Sequence, residues 1–537
     1  MKQYAWFSTF FLNFNLHFNL LSLGKANKSK IYLLFLSLNR NFAHNISLNI
    51  MKNIFKPLSC ILAIFALQTI VFPAISSQAL NAVHAASIYK PWSNGKLKVS
   101  DNSLYIVHEN GTPFFWLGNT AWLMPERLNR DDVEFYLTNE RLQGYNVEQI
   151  QVLNAIPTFN IYGQQANDET FDFAPYTKKG VYGYWDHLDY IVDFAESQGI
   201  YIAFDCIWGS MINKMPVDKA KKLGKFLAER YKDKPNIIWM IGGDILGDKG
   251  MDSWDALART IRSIDQNHIM TFHPRGRTTS ARWFNDREWL DFNMFQSGHR
   301  RYGQRKGDGD YTIKDNTEED NWRYVDMSFE KTPLKPTIDG EPSYEDIPQG
   351  LHDFNEVRWQ DYDVRRYAYW AVFGGAFGHT YGHNSIMQFM RPGILGSFGA
   401  EKSWVDAMKD PGYQQMKYLK NLMLAFPFTE RRADQSVIAS PNGERYDRII
   451  ATRGNDYILA YNYTGKPFTL DLTKISGETK RAWVMNPKDG SLEYLGEMQN
   501  GKHEFKLDVP YANGSDRVII VVDSSKNYIG VEQNEIE

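Results

Sequence analysis

From Phe114 onward, short apolar runs rich in β-branched and aromatic residues alternate with segments whose apolar residues recur at helical spacing. Strands buried on both faces read as continuous apolar runs, and their alternation with helices is the pattern of parallel βα units. Eight such runs stand out: Phe114–Leu117, Asn146–Val152, Tyr201–Phe204, Ile237–Ile241, Ile269–Phe272, Phe292–Phe295, Pro336–Asp339 and Gly375–Thr380. Helices are predicted between them, among others over Asp131–Leu142, Trp185–Ser197, Val217–Tyr231 and Trp254–Ile264. Eight strand-plus-helix steps in about 290 residues match the size of an α/β protein of the (β/α)8 TIM-barrel class. A doubly wound open sheet is the alternative, but Trp116-Leu-Gly-Asn119 stands where a dinucleotide fold needs its glycine-rich phosphate loop. A hairpin over Leu97–His108, turned by Asn110-Gly111, precedes the barrel, and a helix over Trp404–Leu424 closes it. From Phe428 the pattern changes to short alternating runs between Gly, Asn and Pro turns, including Tyr457–Tyr463, Arg481–Met485, His503–Leu507 and Arg517–Val522. That predicts a small all-β sandwich of about 100 residues. The domain boundaries read as 86–427 for the barrel and 428–537 for the sandwich.

Composition changes this picture only at the N-terminus. The first acidic residue of the 537 is Asp101, a bias no ordinary folded domain shows. From Met51 the chain reads as a secretory signal over 51–85: Lys52 and Lys56, an apolar stretch Ile61–Ile75, and Val83-His-Ala85 as the cleavage site. Residues 1–50 read as a non-native extension from a start codon set too far upstream. An exported protein, periplasmic or extracellular, is expected, with no membrane span because the apolar stretch is too short. Without residues 1–85 the chain loses seven basic residues and no acidic one, and its net charge falls from −3 to −10. Nucleic acid is therefore not an expected partner. The two cysteines are Cys60 and Cys206; loss of the first leaves no internal disulfide, and Cys206 reads as a small buried hydrophobe.

Active sites of (β/α)8 barrels lie at the C-terminal ends of the strands. Polar and aromatic residues crowd those positions here: Asn119 and Trp122, Gln151 and Asn154, Asp205 and Trp208, Asp244, His273 and Arg275, Gln296 and His299, Asp339 and Glu341, and His379, Tyr381 and His383. Two runs end in glycine and a carboxylate, Asn236-Ile-Ile-Trp-Met-Ile-Gly-Gly-Asp244 on strand four and Lys335-Pro-Thr-Ile-Asp-Gly-Glu341 on strand seven. Two carboxyls facing each other across a barrel mouth are what glycoside hydrolysis needs. One protonates the leaving oxygen while the other attacks the anomeric carbon or activates water. Asp339 competes with Glu341 because residues two apart share a strand face, and Glu341 is preferred for its reach, leaving Asp339 to pair with an Arg or His. Glu148 and Glu345 are weaker candidates. Trp122, Trp208, Tyr302, Tyr344 and Tyr381 offer faces for stacking on a sugar. His379 and His383 lack a metal-ligand spacing, so no metal or other cofactor is expected.

These residues carry a family resemblance. Pro113-Phe-Phe-Trp-Leu-Gly-Asn-Thr-Ala-Trp122, Arg141-Leu-Gln-Gly-Tyr-Asn-Val147, Trp239-Met-Ile-Gly-Gly-Asp244, His273-Pro-Arg-Gly276, Phe295-Gln-Ser-Gly-His299 and Asp339-Gly-Glu-Pro-Ser-Tyr344 resemble the apiosidase-like glycoside hydrolases over about Lys96–Ala425. The tail is similar to the collagen-binding-type β-sandwich often joined to them. The resemblance implies a barrel that releases β-linked apiose from side chains of the plant pectin rhamnogalacturonan II, with Asp244 as acid/base and Glu341 as nucleophile. It departs at Asn119, where the family commonly has Asp. A plant cell-wall oligosaccharide or polysaccharide is the expected partner. The alternatives are an endo-acting glycanase of the same fold and a non-catalytic carbohydrate- or matrix-binding protein. If the leaving sugar is a galacturonic acid, Arg275, Arg277, Arg300 and Arg301 are placed to meet its carboxylate.

Overall fold

The computed structural model describes residues 88–304 and 319–528. Residues 1–85, read above as an extension and an export signal, lie outside the described residues, as does Cys60. Among the described residues no helix is long and apolar enough to cross a membrane.

A hairpin of β1 (Leu97–Val99) and β2 (Ile106–His108) leads into the barrel. Its turn lies at 100–105, with Ser103 in the left-handed region, and not at Asn110-Gly111 as the sequence predicts. Asn110-Gly111 instead folds the chain back from β2 onto Pro113, through Gly111 N–H to the His108 carbonyl and a Val107–Pro113 bridge.

Eight parallel strands then follow: β3 (Trp116–Thr120), β4 (Val147–Gln151), β5 (Tyr201–Asp205), β6 (Ile237–Ile245), β7 (Met270–Pro274), β9 (Asn293–Gln296), β10 (Thr337–Asp339) and β11 (Gly378–Tyr381), with the two-residue β8 (Thr278–Thr279) antiparallel to β9. Parallel pairing runs unbroken from β7 through β6, β5, β4, β3, β11 and β10 to β9. Closure comes where Asp291 N–H meets the Met270 carbonyl and Thr271 Oγ1 donates to the Phe292 carbonyl. This is the expected (β/α)8 barrel.

Helices cover the outer faces, among them Arg130–Leu142, Tyr184–Gln198, Val217–Tyr231, Met251–Ile264 and Asp361–Phe373. The first starts with a capping box, Asn129 accepting from Asp132 N–H while the Asp132 carboxylate accepts from Asn129 N–H. The closing helix predicted over Trp404–Leu424 is two helices, Trp404–Ala407 and Pro411–Leu424. Pro411 has no N–H to continue a helix and holds Asp410 extended, at φ −68° and ψ 147°, so the helix must restart there.

The C-terminal part pairs β12 (Arg432–Ala433), β13 (Ile450–Arg453), β14 (Tyr457–Asn462), β19 (Arg517–Asp523), β16 (Thr479–Met485) and β17 (Leu492–Gln499) in one antiparallel sheet, with β15 (Phe468–Asp471) and β18 (Lys502–Phe505) in a second. Strand periodicity divides β14 between two cores. Ile458 and Ala460 pack with Leu470 and Phe505 inside the sandwich, while Tyr457, Leu459 and Tyr461 join the barrel core. Tyr461 stacks on Tyr369, ring centroids 4.7 Å apart, and Arg365 forks onto Asp516 at 2.8 Å through both bonds, with neither side chain exposed. The barrel core thus extends onto one face of the sandwich sheet, whose other face packs a core of its own.

A second buried acid pair lies outside the barrel lumen. Glu148 on β4 and Glu140 on the helix Arg130–Leu142 are fully buried, Glu148 accepting from Tyr136 Oη (2.9 Å) and Glu140 from Asn119 Nδ2 (3.1 Å). Burial drives the Glu140 carboxyl up to about 7 and Glu148 well above its ordinary value, so Glu140 gives up its proton only near neutral pH. An acid that is harder to ionise folded than unfolded stabilises the fold below its unfolded pKa, and that contribution fades as pH rises through about 7. Glu140→Gln should keep the neutral donor and remove this alkaline cost, on the order of 3 kcal/mol. The check is the thermal midpoint at pH 5 and pH 8, whose difference should narrow in the variant.

Candidate active site

At the C-terminal mouth of the barrel a cavity of about 620 Å³ opens. Ten residues picked from strand ends line it: Trp122, Gln151, Asn154, Trp208, Asp244, Arg275, Gln296, His299, Glu341 and Tyr344.

Asp244 owes its place to an unusual corner. Gly242, Gly243 and Asp244 take φ values of 105°, 98° and 46°, all left-handed, as β6 slips register against β7 between Gly242 and Ile245. A Cβ on Gly242 would stand 2.6 Å from the His273 carbonyl oxygen, and one on Gly243 would stand 2.3 Å from Asp205 Oδ2 and 2.7 Å from the Trp208 ring. Only glycine fits both the backbone and the space. The corner lifts Asp244 out of the sheet, where Gly276 N–H reaches Oδ1 at 3.4 Å and Asp244 N–H points at His273 Nδ1, 3.3 Å away. The residue is open to solvent at the mouth, yet its carboxyl is hemmed in by the cavity walls. That desolvation, followed by the Glu341 charge, raises its pKa to about 6.

Glu341 follows Gly340, whose N–H bonds the Phe295 carbonyl and whose carbonyl accepts from Gln149 Nε2 across the lumen. The Glu341 carboxylate sits between two imidazoles, His299 Nε2 3.1 Å from Oε1 and His273 Nε2 3.3 Å from Oε2. Burial alone would raise its pKa. The two histidine contacts outweigh burial and bring it down to about 2. With Asp244 N–H at Nδ1, the proton of His273 that faces Glu341 is the one on Nε2. Trp122 donates to Tyr344 Oη at 3.1 Å, and its ring lies edge-on to His273 and tilted against Trp208.

Three candidates lie elsewhere. His273 and Asp205 stand behind the cavity wall. His273 is fully buried, and burial pushes the Asp205 carboxyl up to about 8, which keeps it protonated at neutral pH. Tyr381 faces away from the lumen: it is the last residue of β11, paired with Asn119, and donates to Glu345 Oε2 at 2.6 Å beside Tyr145 and Tyr413. The sequence ends that strand at Thr380, which places Tyr381 wrongly beyond it. Strand parity also removes Asn119, which lies within β3 and bonds Glu140 on the outer face.

Asp339 does not share a face with Glu341, because β10 ends at Asp339 and the chain turns at Gly340. Its partners are Ser297 Oγ (2.6 Å) and Asn321 Nδ2 (3.1 Å), where an Arg or His is expected. Glu345 is bound by Tyr381 and by the Gly412 and Tyr413 amides. Tyr302 packs against Tyr446 and does not line the cavity. Arg301 pairs with Glu356 at 3.2 Å, while Arg275, Arg277 and Arg300 line the cavity. Leu351, His352, Gln388 and Phe398 complete the wall from loops beyond β10 and β11. No strand-end signal marks them, and the sequence reading passes over them. Phe398 is held at φ 52° by its neighbours: Asn384 Nδ2 donates to its carbonyl, and Gln388 brackets Ser397 by accepting its N–H and donating to its carbonyl.

Two carboxyls in one cavity, one held ionised and one holding its proton toward neutral pH, on a (β/α)8 barrel define a glycoside hydrolase. Solved structures agree: a glycoside hydrolase is 65% identical, with 82% of this chain and 100% of that one covered and a TM-score of 0.81. A protein described as a glycoside hydrolase family 5 from Bacteroides vulgatus ATCC 8482 matches equally well, with 96% of its chain covered. A further glycoside hydrolase from the same organism, 14% identical with a TM-score of 0.56, shares the fold. Residues 100–430 match the apiosidase-like catalytic domain, and the chain belongs to that family. Residues 433–522 match a domain family named for the collagen-binding domain of a collagenase. No curated protein matches in sequence.

Proposed function

We propose that the protein is a retaining exo-glycosidase that releases β-linked apiose from the side chains of rhamnogalacturonan II. The observation that carries the chemistry is that both acids line one cavity, with the Glu341 carboxylate set between two imidazoles. Glu341, held ionised by His299 and His273, attacks the anomeric carbon; Asp244, holding its proton up to about pH 6, gives it to the leaving oxygen. The same carboxylate then takes a proton from the water that releases the sugar. Trp122, Trp208 and Tyr344 supply ring faces, and Gln151, Asn154 and Gln296 supply polar groups for sugar hydroxyls. Family membership supports the choice of apiose. The test is release of free apiose from rhamnogalacturonan II oligosaccharides by the chain without residues 1–85. Cleavage of an arabinan, galactan or glucan in its place would reject the substrate and keep the acid pair.

An acidic leaving sugar gives the three arginines of the wall a task. Charge-assisted bonds to a carboxylate are worth about 1.5–3 kcal/mol. Alanine at Arg275, Arg277 or Arg300 should therefore lower kcat/KM roughly 10-fold to 100-fold for at least one of them on a galacturonate leaving group, and little on a neutral one. Equal losses on both would reject the role.

A further inference from the structure

The sandwich reaches toward the catalytic cavity at one place. Its turn Arg445–Asp447 lies against the irregular segment that leaves β9 at the barrel mouth. Tyr446 meets the Tyr302 ring edge-on with centroids 5.0 Å apart, and the Arg445 guanidinium sits 5.0 Å from the same ring. Tyr446 Oη donates to Glu319 Oε1 (3.0 Å), the oxygen that also accepts Tyr302 N–H. The other Glu319 oxygen accepts from Arg366, which is fully buried against the rings of Tyr446 and Tyr463. Tyr302 is therefore gripped from three sides, two of them through the sandwich.

Three residues before Tyr302 stands His299, which contacts the Glu341 carboxylate. The His299 carbonyl is tied to Gly350 N–H and Trp359 Nε1, so its segment is anchored by the barrel at one end and, at Tyr302, by Glu319 and Asp320 of the barrel together with Tyr446 and Arg445 of the sandwich. His299 Nδ1 is buried and has no hydrogen-bond partner, and the Tyr344 ring packs edge-on to it at 4.6 Å between centroids, so the bond to Glu341 is the one hydrogen bond that aims the ring. The aim of the imidazole then depends on the backbone on both sides of it. We infer that the sandwich is part of the catalytic apparatus, and that Arg445 and Tyr446 are positioning residues that hold the His299 segment in register with Glu341. The collagen-binding-like label assigns no such task.

The consequence is specific to one group. Glu341 is faced by His299 and His273 directly, by Asp244, Asp205 and Tyr344 nearby, and by the arginines 275, 277 and 300 along the cavity wall. Loosening His299 leaves His273 as the one imidazole steadying the ionised carboxylate. The acidic limb of the kcat/KM profile should then move to higher pH. The basic limb, set by Asp244, should stay, because Glu341 is ionised there either way.

The test uses the full chain with Tyr446→Ala, Tyr446→Phe, Arg445→Ala, His299→Gln and the double variant Tyr446→Ala/His299→Gln. Small displacements near the chemistry cost up to about 100-fold. Tyr446→Ala should lose roughly 10-fold in kcat/KM with an upward-shifted acidic limb in a chain that is still folded at the assay temperature, and Tyr446→Phe should recover part of both. The double variant should be no worse than His299→Gln alone. An unmoved acidic limb, or losses that multiply, overturns the inference. The inference rests on glycoside turnover in this cavity, so a wild-type chain that cleaves no glycan defeats the substrate reading separately. The His299 imidazole resonance, assigned by its disappearance in His299→Gln, then decides: it should move in Tyr446→Ala, and an unmoved signal overturns the proposal.

Discussion

Glu341→Gln is expected to lower glycoside turnover roughly 10^4-fold or more, the scale seen when a nucleophile is removed from an otherwise intact site. The substitution keeps length and shape, so the Gly340 corner, His299 and His273 stay in place, but it takes away the charge and the attacking oxygen. Binding should survive, because the rings of Trp122, Trp208 and Tyr344 are untouched. A smaller side chain sharpens the test. Glu341→Ala supplied with azide should form a glycosyl azide whose anomeric configuration is opposite to that of the substrate, since azide occupies the face the carboxylate left. A Gln variant retaining more than about one part in a hundred of wild-type activity would exclude Glu341 as nucleophile.

The second large effect belongs to Asp244. General acid catalysis contributes roughly 10^2-fold to 10^4-fold, and Asp244→Asn should lose that much on a natural sugar leaving group. It should lose far less on an activated aryl leaving group, which departs without a proton. The pH profile gives an independent reading. The acid must be protonated and the nucleophile ionised, so wild-type kcat/KM falls as pH rises through about 6 and again as pH drops toward about 2. In the Asn variant the upper limb should vanish, because no proton remains to be lost. A variant that retains the upper limb would assign it to another group, with His273 the nearest candidate.

Much of this architecture is legible in the chain because barrel strands are buried on both faces and so read as unbroken apolar runs. Ile237–Ile241 and Tyr201–Phe204 begin where β6 and β5 begin. Strand ends are harder, and at the mouth of a barrel the end is what matters. A displacement of one residue exchanges lumen for outer layer. The first run, read at Phe114–Leu117, is the strand Trp116–Thr120, which sends Asn119 outward to Glu140. The last run, read to Thr380, extends to Tyr381 and turns that ring outward to Glu345. Asp339 and Glu341 are separated by the same effect, since a turn at Gly340 cancels the two-residue periodicity. The Leu351, His352 and Phe398 wall comes from long irregular connections, where hydrogen bonds between loops set the shape and no period exists to be read.

The corner at Gly242-Gly243-Asp244 carries a lesson for laboratory evolution of this cavity. Three consecutive left-handed residues, two of them without room for a methyl group, fix the acid by main-chain geometry. Combinatorial libraries that randomise these codons will consist almost wholly of dead clones, because no change of side-chain rotamer restores the direction in which the carboxyl points. The loops that carry Leu351, His352 and Phe398 stand on the opposite footing. They contribute surface to the cavity, and the Phe398 loop is held by Asn384 and Gln388 at positions that need not be mutated. Diversity placed at 352, which is not left-handed, should redraw sugar preference while the hydrolytic pair goes on working, whereas Leu351 (φ 75°) and Phe398 (φ 52°) accept fewer replacements.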